Sequence, residues 1–159
     1  MTKAIDWSDG LLDEDWLWLF RVGEERVVDR GTEIVHEGVR PKAIFVVMRG
    51  SFSVGVETLS DEPLARLGTG ELIGEIAFLE GSPTSATIVA DEESTVLVVN
   101  NRLLTDRVRE NSAFAARLYC AFALVSERRL RNRVDHLAVR FEFDRANGTQ
   151  RPAYAALLD

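Results

Sequence analysis

Between Gly70 and Ala90 lies a segment whose residue types could hold an anion: Gly-Glu-Leu-Ile-Gly-Glu-Ile-Ala-Phe-Leu-Glu-Gly-Ser-Pro-Thr-Ser-Ala-Thr-Ile-Val-Ala. Gly74 lets the backbone turn and come close to a ligand. A short helix beginning at Glu75 would leave its first N–H groups without intrahelical partners, and such groups attract negative charge. Ser85 can donate a hydroxyl to an anion, and Ala86 is small enough to leave room beside it. Ile76, Ala77 and Phe78 read as core or pocket wall. For Glu75 two readings stay open: an acceptor for a ligand hydroxyl, or an acid that favours the helix dipole.

The elements around this segment must position it. From Glu25 to Asn100 short β-rich runs alternate with turn signals: 26–29, 32–36, 43–48, 51–57, 64–67, 86–90 and 95–99. Strands at such close spacing predict an antiparallel sandwich, roll or barrel. Gly50 falls between two runs, where a tight hairpin needs positive φ. Ahead of them, residues 8–22 predict a helix capped by Ser8 or Asp9 and ended by Gly23, with Leu12, Trp16, Leu19 and Phe20 on one face. Trp16 and Trp18 read as anchors of that helix on the core.

After Asn100 the helical period returns. Residues 102–109 suit a short helix, and Asn111 or Ser112 can cap a longer one reaching about Val139. Its apolar positions, Phe114, Leu118, Ala121, Phe122 and Val125 among them, continue to Leu130, Val134 and Leu137 at steps of three and four. That stripe is long enough to serve the roll and a twin helix, so these positions are the candidate dimer surface. The polar side carries Arg128, Arg129, Arg131 and Arg133 near the helix C-terminus, where cations are favoured. The fold expected is α+β: an antiparallel, jelly-roll-like β-roll with an N-terminal helix and C-terminal helices, the last one long. It forms one domain over residues 1–140, followed by a tail over 141–159 that contains the Asn147-Gly148 turn.

Composition narrows the function. The 159 residues are 46% apolar, enough for a core without disulfides or metal, and the formal net charge is −7. Acidity disfavours nucleic acid, where Lys and Arg supply most of the affinity, and equally an anionic membrane. The single cysteine, Cys120, excludes an intrachain disulfide or a cysteine-ligated cluster and reads as a buried small hydrophobe. No signal core or membrane-spanning run is visible, so a cytoplasmic location is expected. His36 and His136 have no ligand constellation around them, and no catalytic grouping emerges. The expectation is a chain that is not an enzyme and holds no metal.

The order of helix, roll, Gly-Glu segment, strand and helices resembles the cyclic nucleotide-binding domain family, over about residues 10–138. Two stretches carry the resemblance. Gly31-Thr-Glu-Ile-Val-His-Glu-Gly38 through Ile44-Phe-Val-Val-Met-Arg-Gly-Ser-Phe-Ser-Val54 looks like the early strands with their glycine hairpin. Ile73-Gly-Glu-Ile-Ala-Phe-Leu-Glu-Gly-Ser-Pro-Thr-Ser-Ala-Thr87 looks like the phosphate-binding cassette. The resemblance implies a ligand of the cAMP or cGMP kind at Gly74, Glu75, Ile76, Ala77, Thr84, Ser85 and Ala86, with Glu75 accepting from a ribose hydroxyl.

The departure is Thr84, where nucleotide-binding members place an arginine that pairs with the cyclic phosphate. Weak or no cyclic nucleotide binding is therefore expected, unless another arginine such as Arg66 reaches in. Residues 141–159 are too few for the helix-turn-helix reader of the catabolite-activator branch. Three readings follow: a regulatory sensor module, a ligand-free interaction domain that dimerises through its long helix, and a DNA-binding regulator using the arginine cluster. Neither DNA nor a membrane is expected as a partner, and the downstream protein is not readable from the chain.

Overall fold

A computed structural model describes residues 7–57 and 62–146, with side chains described as far as residue 135. The chain divides into two compact units, one ending at Phe122 and the other beginning at Ala123. The break falls inside the long helix.

The first unit is built on eight strands: β1 (Glu24–Val28), β2 (Glu33–Val35), β3 (Ala43–Arg49), β4 (Ser51–Gly55), β5 (Ala65–Gly68), β6 (Leu72–Ile73), β7 (Thr87–Ala90) and β8 (Ser94–Asn100). They form two four-stranded antiparallel sheets, in the orders β1-β8-β3-β6 and β2-β7-β4-β5. Their inner faces enclose a core that includes Val47, Phe52, Leu67, Ile73, Ile88 and Val96. Along β7 burial alternates with period two, whereas β3 is buried at Ala43, Ile44, Val46 and Val47. β6 has only two residues and shows no alternation, so it is absent from the sequence reading. The β3–β4 hairpin depends on Gly50, whose φ is +102°; a Cβ there would lie 2.1 Å from Ser94 Oγ.

Helices close the roll. A 3₁₀ turn (Trp7–Gly10) precedes α1 (Asp13–Val22). The single helix expected over 8–22 is therefore split, because Leu12 is extended and forms the cap while Asp15 accepts its N–H at 2.9 Å. The face expected to be buried is also corrected. Leu19 is buried, whereas Leu12 and Phe20 are half exposed. Trp16 packs on Trp7 at 5.6 Å, and Trp18 meets the edge of Phe114 at 5.3 Å beneath the Arg107 guanidinium. Following β8 come α3 (Asn101–Glu110) and α4 (Ser112–Ala146), the latter running past the expected end near Val139. Asn111 Oδ1 caps it by accepting the Phe114 N–H at 2.9 Å.

On α4, Phe114, Leu118, Ala121, Phe122 and Val125 are each at most 1% exposed, buried within the chain. One expectation about α4 is overturned. Cys120 is exposed, because it lies two residues, or about 200°, from Leu118 on the helix. In the second unit, α4 continues with Leu130 and Val134 exposed. Among the described residues no helix is long and apolar enough to cross a membrane, and no three or more His, Cys, Asp and Glu form a metal-holding group. The side chain of His136 and the turn and tail expected over 147–159 lie outside the described residues.

Arg117 of α4 pairs with two acids of α1, Glu14 at 3.5 Å and, more closely, Asp15. Asp15 is fully buried, and Arg117 meets it with two parallel bonds, Nε to Oδ2 at 2.7 Å and Nη2 to Oδ1 at 2.8 Å. The Arg117 hydrogen bonds, opposed by burial and aided by the Leu12 N–H, hold the Asp15 carboxyl below its ordinary value of 3.8. A depressed carboxylate stabilises the fold fully above the unfolded-chain value, and the effect drains as pH falls through the lower folded value. Asp15→Ala is expected to cost about 2–3 kcal/mol at neutral pH, since it leaves a guanidinium and a backbone donor unmatched. Urea titrations of both proteins from pH 7 downward check this: the two stabilities should converge in acid below about pH 3.9. A gap that stays constant down to pH 2 would refute the assignment.

Candidate functional site

The segment singled out from sequence folds as a left-handed turn, one short helix and a loop into β7. Gly74 has φ +91°, and α2 (Glu75–Glu80) starts directly after it. A Cβ on Gly74 would lie 3.2 Å from the Ala43 carbonyl oxygen, so that position needs glycine for both its φ and its contact. Gly81, also left-handed with φ +61°, ends α2.

The expected site residues part company in their surroundings. Glu75 is 1% exposed, which places its carboxylate at the buried N-terminal end of α2. Ala77 is buried as well, while Ile76 is 44% exposed, so that of its two readings, core or pocket wall, core is excluded. Phe78 packs edge-on against Phe122 of α4 at 5.9 Å. Ser85 is exposed and Ala86 half buried.

Thr84 is held by protein on three sides. Its N–H donates to the Val39 carbonyl at 3.1 Å, and its own carbonyl accepts the Gly38 N–H at 2.8 Å. Its hydroxyl donates to the His36 carbonyl at 2.9 Å, with the Val39 carbonyl at 3.3 Å. The loop joining β2 to β3 is thereby laced to the loop after α2. A small β-branched hydroxyl suits this work; sequence reasoning registered only the charge that Thr84 lacks. The signal for its structural role was the neighbouring Gly38 and the turn at Arg40-Pro41, which require a backbone partner somewhere.

Inside the roll, pairing registers set Val35, Ile88, Val54 and Ala65 across from one another on β2, β7, β4 and β5. Residues directly opposite in a sheet share a face, and this row is entirely apolar. Val35 and Ile88 are buried, while Val54 and Ala65 are partly open and the adjoining Leu64 is half exposed. An apolar mouth is thus available, with Val54 holding Leu64 through a backbone bond of 2.8 Å. Arg66 does not enter it. Arg66 lies opposite Ser53 on the other face, with its guanidinium 3.5 Å from Asp91. The histidine singled out in this region, His36, is exposed and pairs with Glu33 at 2.8 Å.

Chemically, the row offers an apolar floor, and the cassette segment offers the exposed Ser85 and the N-terminal end of α2.

The family model of the cyclic nucleotide-binding domain matches residues 25–111. The cAMP-dependent protein kinase regulatory subunit of Eremothecium gossypii is 30% identical over 95 residues, covering 60% of this chain and 20% of that protein. This chain spans about a fifth of the length of that relative. The structure of the Thermus thermophilus catabolite activator protein is 26% identical and superposes with a TM-score of 0.65 over 84% of this chain and 62% of that one. A regulatory subunit of a cAMP-independent protein kinase A from Trypanosoma brucei, in a triple mutant bound to cAMP in its A site, gives 0.56 at 19% identity, over 69% and 45%. One of its three changes is threonine to arginine.

Thr84→Val keeps the shape of the side chain and removes its hydroxyl bond. We expect a loss of about 1 kcal/mol and faster hydrogen exchange at the Gly38 amide, read by NMR. Unchanged protection of that amide would show that the lacing does not hold the loop.

Proposed function

Because the chain belongs to the cyclic nucleotide-binding domain family, we propose that it is a regulatory module whose roll takes a ligand at the cassette but holds cAMP or cGMP only weakly. One observation carries the reading. The side chain at position 84 is uncharged and its hydroxyl is already donated to the His36 carbonyl, while the nearest alternative from β5, Arg66, sits on the outer row of its sheet. Losing one partner of a buried charge pair costs about 2–5 kcal/mol, roughly thirty-fold to several thousand-fold in affinity. A ligand with less negative charge suits this mouth better than a cyclic nucleotide does. The trypanosome kinase subunit described as cAMP-independent was captured with cAMP after a threonine-to-arginine exchange among its changes, the same exchange of side chains considered for Thr84.

Signal transfer follows from packing. Phe78 of α2 bears on Phe122 of α4. A ligand that draws the cassette inward must therefore shift that aromatic pair, and α4 with it. Calorimetry with cAMP and cGMP tests the reading: the unmodified protein should show no binding or only millimolar binding. Thr84→Arg should bring affinity for one of them into the micromolar range. Tight binding by the unmodified protein sinks the proposal; no gain in the variant would mean the mouth is closed by something other than missing charge.

A second reading, self-association through α4, is favoured by the exposure of Leu130 (64%) and Val134 (54%), four residues apart on one face. The surface would lie there and not on the buried positions from Phe114 to Val125. Light scattering at high micromolar concentration should give twice the chain mass, reverting to a monomer in Leu130→Glu/Val134→Glu. A monomeric unmodified protein removes this reading.

A further inference from the structure

Behind the cassette helix, on the side away from the β-sheets, the first unit carries a half-open recess of about 470 Å³. Its walls come from four places: α2, the loop joining β2 to β3, α3 and the start of α4. Phe78, Leu79, Val108 and Tyr119 make it apolar, and Arg40 and Arg109 stand in its lining. The volume is that of a small-molecule site and not of a single water.

Its charge is opposite to that of the chain. The protein carries 26 acidic and 19 basic residues, yet the lining of this recess includes two arginines and no carboxylate. Both guanidiniums are exposed, and no ion pair is formed by either among the described residues. Other arginines of the same unit behave differently: Arg26, Arg66 and Arg117 pair with Glu24, Asp91 and Asp15. Two unmatched cations beside an apolar wall raise the local concentration of anions and reward one that also has an apolar body.

The recess is held in shape before anything enters it. Asn101, the first residue of α3, donates its side-chain amide to the Pro41 carbonyl at 3.0 Å and its backbone N–H to the Lys42 carbonyl at 2.9 Å. Thr105 donates to the Asn101 carbonyl at 2.7 Å. The loop that carries Arg40 is therefore fixed against α3 on one side and against Thr84 on the other. A preformed site loses less on binding than one that must be ordered.

We propose that this recess binds a small amphiphilic anion: an aromatic or acyl body lying against Phe78, Leu79 and Val108, with a carboxylate, sulfonate or phosphate head between Arg40 and Arg109. It is separate from the apolar mouth of the roll, since it shares none of Val54, Leu64, Ala65 or Ser85. Its occupant touches the back of α2 through Ala77, Phe78 and Leu79 and so bears on the position of the cassette helix.

The probe is 8-anilinonaphthalene-1-sulfonate, an aromatic body with one anionic head, titrated by fluorescence into the folded protein at low salt. Saturable binding at about one site per chain is expected, with NMR shifts at Leu79, Thr105 and Tyr119. Arg40→Gln/Arg109→Gln should weaken it by about ten-fold, the yield of two exposed charge contacts. Val108→Trp should abolish it by filling the recess, with near-ultraviolet circular dichroism confirming that each variant is folded. Neutral N-phenyl-1-naphthylamine should bind the unmodified protein about ten-fold more weakly than the sulfonate. Equal affinity in the double glutamine variant, shifts confined to Val54, Leu64 and Ala65, or binding that does not saturate would each overturn the proposal.

Discussion

The lacing of two loops by Thr84 is the constraint on which the site depends. Within a few residues, the backbone of Thr84 pairs with Gly38 and Val39, and its hydroxyl reaches the His36 carbonyl. These carbonyl and amide groups belong to an irregular loop and have no sheet ladder to join, so each would otherwise need water or another partner. A long cationic side chain cannot both lie short against this loop and extend to a ligand. Threonine secures the loop and gives up the charge. The two effects go together at this one position.

The same loop connects the cassette to the helices. Asn101 grips it from α3, while Phe78 of α2 rests on Phe122 and Trp18 of α1 rests on Phe114. Asp15 and Arg117 add a directional bond between α1 and α4 that apolar packing alone would not specify. The aromatic contacts fix distance and the ion pair fixes register. Within this unit a displacement of α2 therefore has little freedom to dissipate: the side chain behind it is fully buried and close-packed, and packed interiors pass strain on.

Much of this was legible in the residues. The short apolar run from Ala43 to Met48 and the turn glycines announced a roll, and Gly50 and Gly74 marked places where φ had to be positive. The cassette was legible because its residue types and spacing are unusual together. Other features were hidden for physical reasons. β6, only Leu72 and Ile73, is too short to display a period. The split at Leu12 came from a side-chain cap three residues later, a local bond that competes with continuous helix. Periodicity on α4 identified an apolar face but could not divide it between the chain's own core and a partner. Burial makes that division, assigning Phe114 to Val125 to the core and leaving Leu130 and Val134 outside. The exposure of Cys120 follows from the same helical geometry, which a reading of its immediate apolar neighbours overlooked.

Net charge is a poor guide to what such a domain can hold. Exposed charges separated by more than about 10 Å are largely screened at ordinary ionic strength, so a ligand responds to the few groups next to it. At the mouth of the roll those groups are the apolar side chains of Val35, Ile88, Val54 and Ala65. Behind α2 they are two unmatched guanidiniums over Phe78 and Val108, an environment that favours an anion in spite of the chain's overall −7. The recess is lined in part by the six-residue helix α2, at whose N-terminus the cassette segment turns. An occupant of the recess would bear on this short element, which is held by the Gly74 turn, the buried Glu75 and Ala77, and the contact with Phe122.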